Sequence, residues 1–133
     1  MDQEKIVLVE DDTFIHELYR STLTTAGYNV ISAKDGEKGL NIIKGNTDAK
    51  LILLDLMLPK MNGIDVLKEM KKDPVTKNLS VIVLTNVSEE RVVKEALKLG
   101  ANAYLIKVDY TPRQVIDMVR QYIDLRVHLR KQQ

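Results

Sequence analysis

The sequence predicts an α/β fold: a parallel sheet with helices on both of its faces. Three observations carry this reading. Short apolar runs are bounded by turn residues, the segments between them have helical periodicity, and the two kinds alternate along a chain of 133 residues. That length suits one domain with a single well-buried core. The strongest runs are Ile6-Val7-Leu8-Val9, Leu51-Ile52-Leu53-Leu54 and Val81-Ile82-Val83-Leu84. A strand with one wet face alternates polar and apolar residues, whereas a strand covered on both faces reads as a continuous apolar run. Residues 28–33 and 103–106 are weaker strand candidates.

The helices fall between these runs. Ile15, Leu18, Tyr19, Thr22, Leu23 and Ala26 recur at helical spacing, and Gly27 follows as the residue just past the helix end. Leu40, Ile43 and Gly45 outline a shorter second helix. Ile64, Leu67 and Met70 mark a third, with Asn62 as its N-cap. The spacing predicts a fourth helix capped by Ser88, with Glu89 and Glu90 in its first turn, an apolar face of Val92, Val93, Ala96 and Leu97, and Gly100 at its end. A fifth begins with Thr111 as N-cap, Pro112 in the first helical position and Gln114 completing a capping box. Strand and helix therefore alternate five times. The polar connection at residues 72–78, containing Pro74, reads as a surface turn.

Composition excludes several function classes. The content is 44% hydrophobic and 29% charged, ordinary for a globular domain, and the net charge of +1 offers no field for nucleic acid. The absence of cysteine rules out disulfides, thiolate metal sites and a thiol nucleophile. The first five residues lack the basic and apolar regions of a signal peptide, and the apolar stretch at 51–59 is too short to span a bilayer. A cytoplasmic location, with no membrane partner, is the expectation.

Right-handed crossovers put the C-terminal ends of parallel strands along one edge, where ligands of such sheets bind. The residues that end the strands are Glu10-Asp11-Asp12, Asp55, Thr85-Asn86 and Lys107. Each alone has a plain structural explanation: a turn residue, a helix cap, a solvated charge. Together they place carboxylates, a hydroxyl and an ammonium in one cleft. Clustered carboxylates repel unless a proton or a cation offsets them, and Mg2+ prefers one or two carboxylates with waters and phosphate oxygens. A carboxylate can act as nucleophile and form an acyl phosphate, while a metal, an ammonium and a hydroxyl hold the oxygens of the transferring group.

At this point the chain resembles the response-regulator receiver domain of two-component signalling, over roughly its first 125 residues. The resemblance rests on Val7-Leu8-Val9-Glu10-Asp11-Asp12, Leu54-Asp55-Leu56-Met57-Leu58-Pro59 with Gly63, Val83-Leu84-Thr85, and Gly100-Ala101 leading to Tyr104 and Lys107. It implies a doubly wound, five-stranded flavodoxin-like sheet of order 2-1-3-4-5, with residues 1–125 as the receiver and 126–133 as an extension of the last helix or a linker. It implies Asp55 as phosphoacceptor, and Mg2+ held by Asp11, Asp55 and the Met57 carbonyl, with Glu10 acting through water. Thr85, Lys107 and the Asn86 backbone would contact the phosphoryl group. Thr85 and Tyr104 would move together and remodel the surface of the fourth helix, fifth strand and fifth helix. The implied partners are a sensor histidine kinase or a histidine phosphotransfer protein, then an output domain, a target protein or a second copy of the chain.

Two departures from the family pattern stand out. Val108 follows Lys107 where most members have a cis proline, so a trans bond is expected, since a cis bond before a non-proline costs about 2.5–4 kcal/mol. Asn86 replaces the usual small residue and is expected to narrow the pocket entrance. Two positions beyond Asp55 and Thr85 stand Met57 and Val87, neither able to hydrogen-bond an attacking water, so slow self-dephosphorylation is expected. A degenerate receiver that only binds partners is the main rival, although such members usually lose an acidic residue or the lysine. A hydrolase or nucleotide-binding domain lacks support: Met57 breaks the Asp-x-Asp pattern, no glycine-rich phosphate loop occurs, and His16 and His128 lie away from the nucleophile.

Overall fold

The computed structural model describes residues 3–131, with side chains described for residues 3–125. Strands β1 (Lys5–Val9), β2 (Asn29–Ala33), β3 (Leu51–Leu54), β4 (Val81–Thr85) and β5 (Ala103–Ile106) alternate with helices α1 (Thr13–Thr25), α2 (Gly36–Lys44), α3 (Gly63–Lys72), α4 (Glu90–Lys98) and α5 (Pro112–Lys131). All strand pairs are parallel and the order is β2-β1-β3-β4-β5.

The unbroken apolar runs are explained by two cores, one on each face of the sheet. Alternate side chains of a strand point to opposite faces. Val7, Val9, Ile52, Leu54, Val81 and Val83 pack against Leu40 and Ile43 of α2, Val66, Leu67 and Met70 of α3, and Ala96 of α4. Ile6, Leu8, Leu51, Leu53, Ile82 and Leu84 face Tyr19 and Leu23 of α1 and Val115, Ile116, Val119 and Ile123 of α5. Each such side chain contributes about 1.5–3 kcal/mol by leaving water. Burial of the central strands on both sides makes their positions rigid, and with them the residues at their ends.

Helix boundaries follow local chemistry. Asp12, Asp35 and Asn62 accept the N–H groups of Ile15, Lys38 and Asp65 at the starts of α1, α2 and α3. The capping box of α5 is formed in both directions: the Gln114 N–H donates to Thr111 Oγ1 at 3.2 Å, and the Thr111 N–H donates to Gln114 Oε1 at 2.8 Å. Gly27 and Gly100 follow α1 and α4 with φ of 103° and 106°, a conformation that a side chain would disfavour.

Three details differ from the sequence expectation. Ser88 does not cap α4; Glu89 occupies that position without a side-chain cap bond. Ser88 stays in the connection before the helix, next to the Val87 carbonyl that accepts the Tyr104 hydroxyl at 2.6 Å, and it is the Glu89 carbonyl that accepts the first helical N–H groups, those of Val92 and Val93. Leu97 is 46% exposed, because the inward stripe of α4 is Val92, Ala96 and Leu99, at i, i+4 and i+7. The connection after α3 is more than a surface turn: Thr76 is fully buried and its hydroxyl donates to the Met70 carbonyl at 2.7 Å, closing the end of α3. The backbone of α5 stays helical to Lys131, while the side chains of Arg126, His128, Leu129, Arg130 and Lys131 lie outside the described residues.

Candidate functional site

Strand register assembles the site. Val9 pairs with Leu54, Leu54 with Val83, and Thr85 with Ile106. The residues that follow, Glu10, Asp55 and Lys107, therefore emerge side by side with Thr85 at the carboxyl edge. The Asp55 N–H still bonds the Val9 carbonyl at 3.0 Å, so this aspartate is fixed by the last rung of the ladder. Behind it, Gly63 approaches closely: an added Cβ would lie 2.3 Å from the Asp55 carbonyl oxygen.

Asp55 is 5% exposed, and both of its carboxylate oxygens are engaged. Oδ1 accepts the Thr85 hydroxyl at 2.6 Å and the Met57 N–H at 3.1 Å. Oδ2 accepts the Lys107 ammonium at 2.7 Å. The same ammonium pairs with Glu10 Oε1, and Glu10 Oε2 accepts the Asp12 N–H at 3.1 Å. Glu10, Asp11 and Asp55 each offer a carboxylate oxygen within 4.8 Å of the others. They border a cavity of about 300 Å³, lined further by Asp12, Met57, Asn86 and Lys107.

The electrostatics follow from burial. Three carboxylates face one ammonium, an arrangement short of positive charge. Burial pushes the Glu10 carboxyl above its ordinary range, and the bond and charge of Lys107 offset this only in part. Burial alone would lower the Lys107 pKa; the bonds and charges of Asp55 and Glu10 outweigh it, and the ammonium is held charged above its ordinary value. Burial, then the charges of Asp55 and Glu89, raises the Tyr104 hydroxyl. A cluster of hard oxygen donors with excess negative charge suits a hard divalent cation, and an all-oxygen set of two or three carboxylates matches Mg2+ better than a softer metal.

The response regulator receiver domain family matches residues 6–120. The chain belongs to this family. It is 39% identical over 129 residues to the transcriptional regulatory protein CpxR of Klebsiella pneumoniae, covering 97% of this chain and 53% of that one. It is 31% identical over 110 residues to chemotaxis protein CheY1 of Helicobacter pylori, covering 82% and 88%. The CheX-CheY-BeF3-Mg+2 complex from Borrelia burgdorferi contains a chain that superimposes with a TM-score of 0.80 at 27% identity, covering 90% of this chain and 88% of that one. The chain spans about half the length of the transcriptional regulators it matches, 49% and 53%. It is a receiver domain of the two-component response-regulator type, a signalling domain rather than a conventional enzyme. Receiver domains bind Mg2+ in an acidic pocket, and the acidic cluster here is Glu10, Asp11 and Asp55. Among the described residues, no helix is long and apolar enough to cross a membrane.

Of the residues singled out from sequence, Glu10, Asp11, Asp55, Thr85 and Lys107 meet in one cleft. The peptide bond before Val108 is trans, since no cis bond occurs among the described residues, and Lys107 nonetheless reaches both acids. Tyr104 is half-buried against the α2–α4 core, its hydroxyl on the Val87 carbonyl. The Met57 side chain is 64% exposed, so only its backbone faces Asp55. Asp12 serves as the N-cap of α1, its carboxylate accepting the Ile15 N–H at 2.9 Å. Two features were missed. Asp35 is buried at the α2 N-terminus, 4.0 Å from Lys60, and its signal was an Asp-Gly-Glu start. The Asn86 side chain also accepts the Val108 N–H at 3.1 Å.

Proposed function

We propose that the chain accepts a phosphoryl group on Asp55 from a histidine kinase or a histidine phosphotransfer protein. The carrying observation is the Asp55 carboxylate itself, fixed at the end of β3 between the Thr85 hydroxyl and the Lys107 ammonium, beside two further carboxylates. In the reaction a carboxylate oxygen of Asp55 attacks phosphorus, the bond to the donor's leaving group breaks, and an acyl phosphate results. Asp11, Asp55 and the Met57 carbonyl would hold Mg2+, with Glu10 acting through water. The bound ion supplies charge neutralisation at the phosphoryl oxygens. Lys107, held charged beside Asp55, would exchange its bonds to Glu10 and Asp55 for the incoming oxygens, and the Asn86 backbone would contact them too.

Phosphorylation gives Thr85 a new partner. Its hydroxyl now bonds the Asp55 carboxylate; on the phosphoprotein it would bond a phosphoryl oxygen, an acceptor carrying more charge. Tyr104, tied to the β4–α4 connection through Val87, follows that connection and carries the change to the α4-β5-α5 surface. That surface would address an output domain, a target protein or a second copy of the chain in the cytoplasm. The half-length match to transcriptional regulators supports an output domain in a longer protein. Residues 1–125 would form the receiver and 126–133 its helical extension.

The test is intact-mass measurement after incubation with Mg2+ and acetyl phosphate. One added phosphoryl group, absent in Asp55→Asn and without Mg2+, supports the proposal. No addition, joined to no binding of fluoroberyllate, favours a receiver that only binds partners.

A further inference from the structure

The Asn86 side chain at the end of β4 accepts the Val108 backbone N–H. Val108 has a backbone N–H only because it is not proline. The Asn86 side chain is long enough for its amide oxygen to reach that N–H. The 3.1 Å bond between them ties the end of β4 to the single 3-10 turn of Lys107–Asp109. That turn opens with the lysine that spans Glu10 and Asp55. Apart from those ion pairs the turn is lightly held: Val108 is 78% exposed, no residue of the turn is buried, and its own closing bond runs from the Tyr110 N–H to the Lys107 carbonyl at 3.2 Å.

From this geometry we infer that Asn86 is a positioning residue for Lys107. Its amide oxygen clips the turn and thereby fixes the backbone from which the Lys107 side chain reaches Glu10 and Asp55. Residues before proline are driven from the helical region, so a turn that begins at Lys107 needs a following residue other than trans proline. The chain has such a residue, and the N–H thereby gained is the one the clip uses. A lone exposed bond is weak because water competes for it. Its effect lies in where it acts: a shift of about 1 Å in a group that meets a reacting phosphoryl is costly. The inference rests on the reading of Lys107 as a phosphoryl contact for its consequence, but the positioning itself is observable without phosphorylation.

The experiment is therefore NMR of the metal-free protein, with the Lys107 side-chain Hε and Cε resonances assigned through Lys107→Arg. Asn86→Ala should move the Val108 amide proton upfield and shift the Lys107 resonances, as the turn moves while the ion pairs to Glu10 and Asp55 persist. Asn86→Asp keeps the acceptor and should restore the Val108 amide shift. Phosphorylation by acetyl phosphate should slow roughly two- to tenfold in Asn86→Ala, the range expected from losing one such bond. If Asn86 only obstructs the pocket mouth, the smaller alanine would speed phosphorylation instead. Unmoved Lys107 resonances in Asn86→Ala, or faster phosphorylation, overturn the inference. Wild-type protein that takes no phosphoryl group would instead overturn the proposed function, and the resonances would still decide the clip.

Discussion

Replacing Lys107 by methionine keeps most of the side chain's length and removes its charge, leaving Glu10 and Asp55 without the ammonium between them. The Lys107 side chain is 13% exposed and those of its partners 3% and 6%. At an effective dielectric near 20, opposite unit charges 2.7 Å apart attract by about 6 kcal/mol, and desolvation takes back several kcal/mol for each ion. Removing one partner of such a buried arrangement costs about 3–5 kcal/mol, because the stranded carboxylates stay behind. Proton uptake by Glu10, already raised by burial, softens the loss, so about 3 kcal/mol is expected at pH 7.5 in EDTA. Urea unfolding reads this as a midpoint lowered by about 1–3 M. Because the folded Lys107 pKa lies above its ordinary value, its contribution is complete below the unfolded pKa and is lost as pH rises through the folded one. The difference between wild type and variant should thus hold steady from neutrality and shrink at strongly alkaline pH. In Mg2+ the variant should regain much of its stability and bind the ion more tightly than wild type, having lost the competing ammonium. A loss below about 0.5 kcal/mol, the scale of a solvated surface pair, would refute the reasoning, as would weaker Mg2+ binding by the variant.

Other predictions follow from the same geometry. Gly63→Ala would drive a methyl into the Asp55 carbonyl oxygen, so urea midpoint and phosphorylation should both fall; an unchanged phosphorylation rate would show that Asp55 is not held from behind. Met57→Asn gives the exposed position beside Asp55 a hydrogen-bonding group, and the phosphoprotein lifetime, followed by intact mass, should shorten. Val87→Glu should add to this only at a cost in stability, since Val87 packs against the α2–α4 core. His16 is buried, its Nε2 has no partner among the described residues, and burial with Lys34 nearby lowers its pKa. Its stabilisation is complete above the unfolded value near 6.5 and is lost as pH falls through the folded value, so His16→Leu should flatten the decline in urea stability just below pH 6.5, by at most about 1.4 kcal/mol per pH unit. An identical pH slope in the two proteins would remove His16 from the explanation.

The central strands were legible because burial on both faces leaves its mark in continuous apolar runs such as 51–54. Caps were legible where the chemistry is local, as at Thr111 and Gln114. Ser88 misled because the helix starts one residue later, with the Glu89 carbonyl accepting the Val92 and Val93 N–H groups, and a cap preference alone does not fix a boundary to one residue. Leu97 misled because a nine-residue helix offers two apolar stripes and only packing chooses between them. At the site, residue types and strand ends were enough to bring Glu10, Asp11, Asp55, Thr85 and Lys107 together. The Asn86 bond was not legible: it joins residues 22 apart through a backbone N–H, which no pattern of side chains announces.

Whether Asp55 carries the phosphoryl group is decided by locating the acyl phosphate chemically. Borohydride reduces an aspartyl phosphate to homoserine, and peptide mass mapping of the reduced phosphoprotein identifies the residue converted. Homoserine should form at position 55 alone, and only after treatment with phosphodonor and Mg2+. Conversion at Asp11 or Asp12 instead, or an added phosphate with no homoserine anywhere, would contradict that role for Asp55.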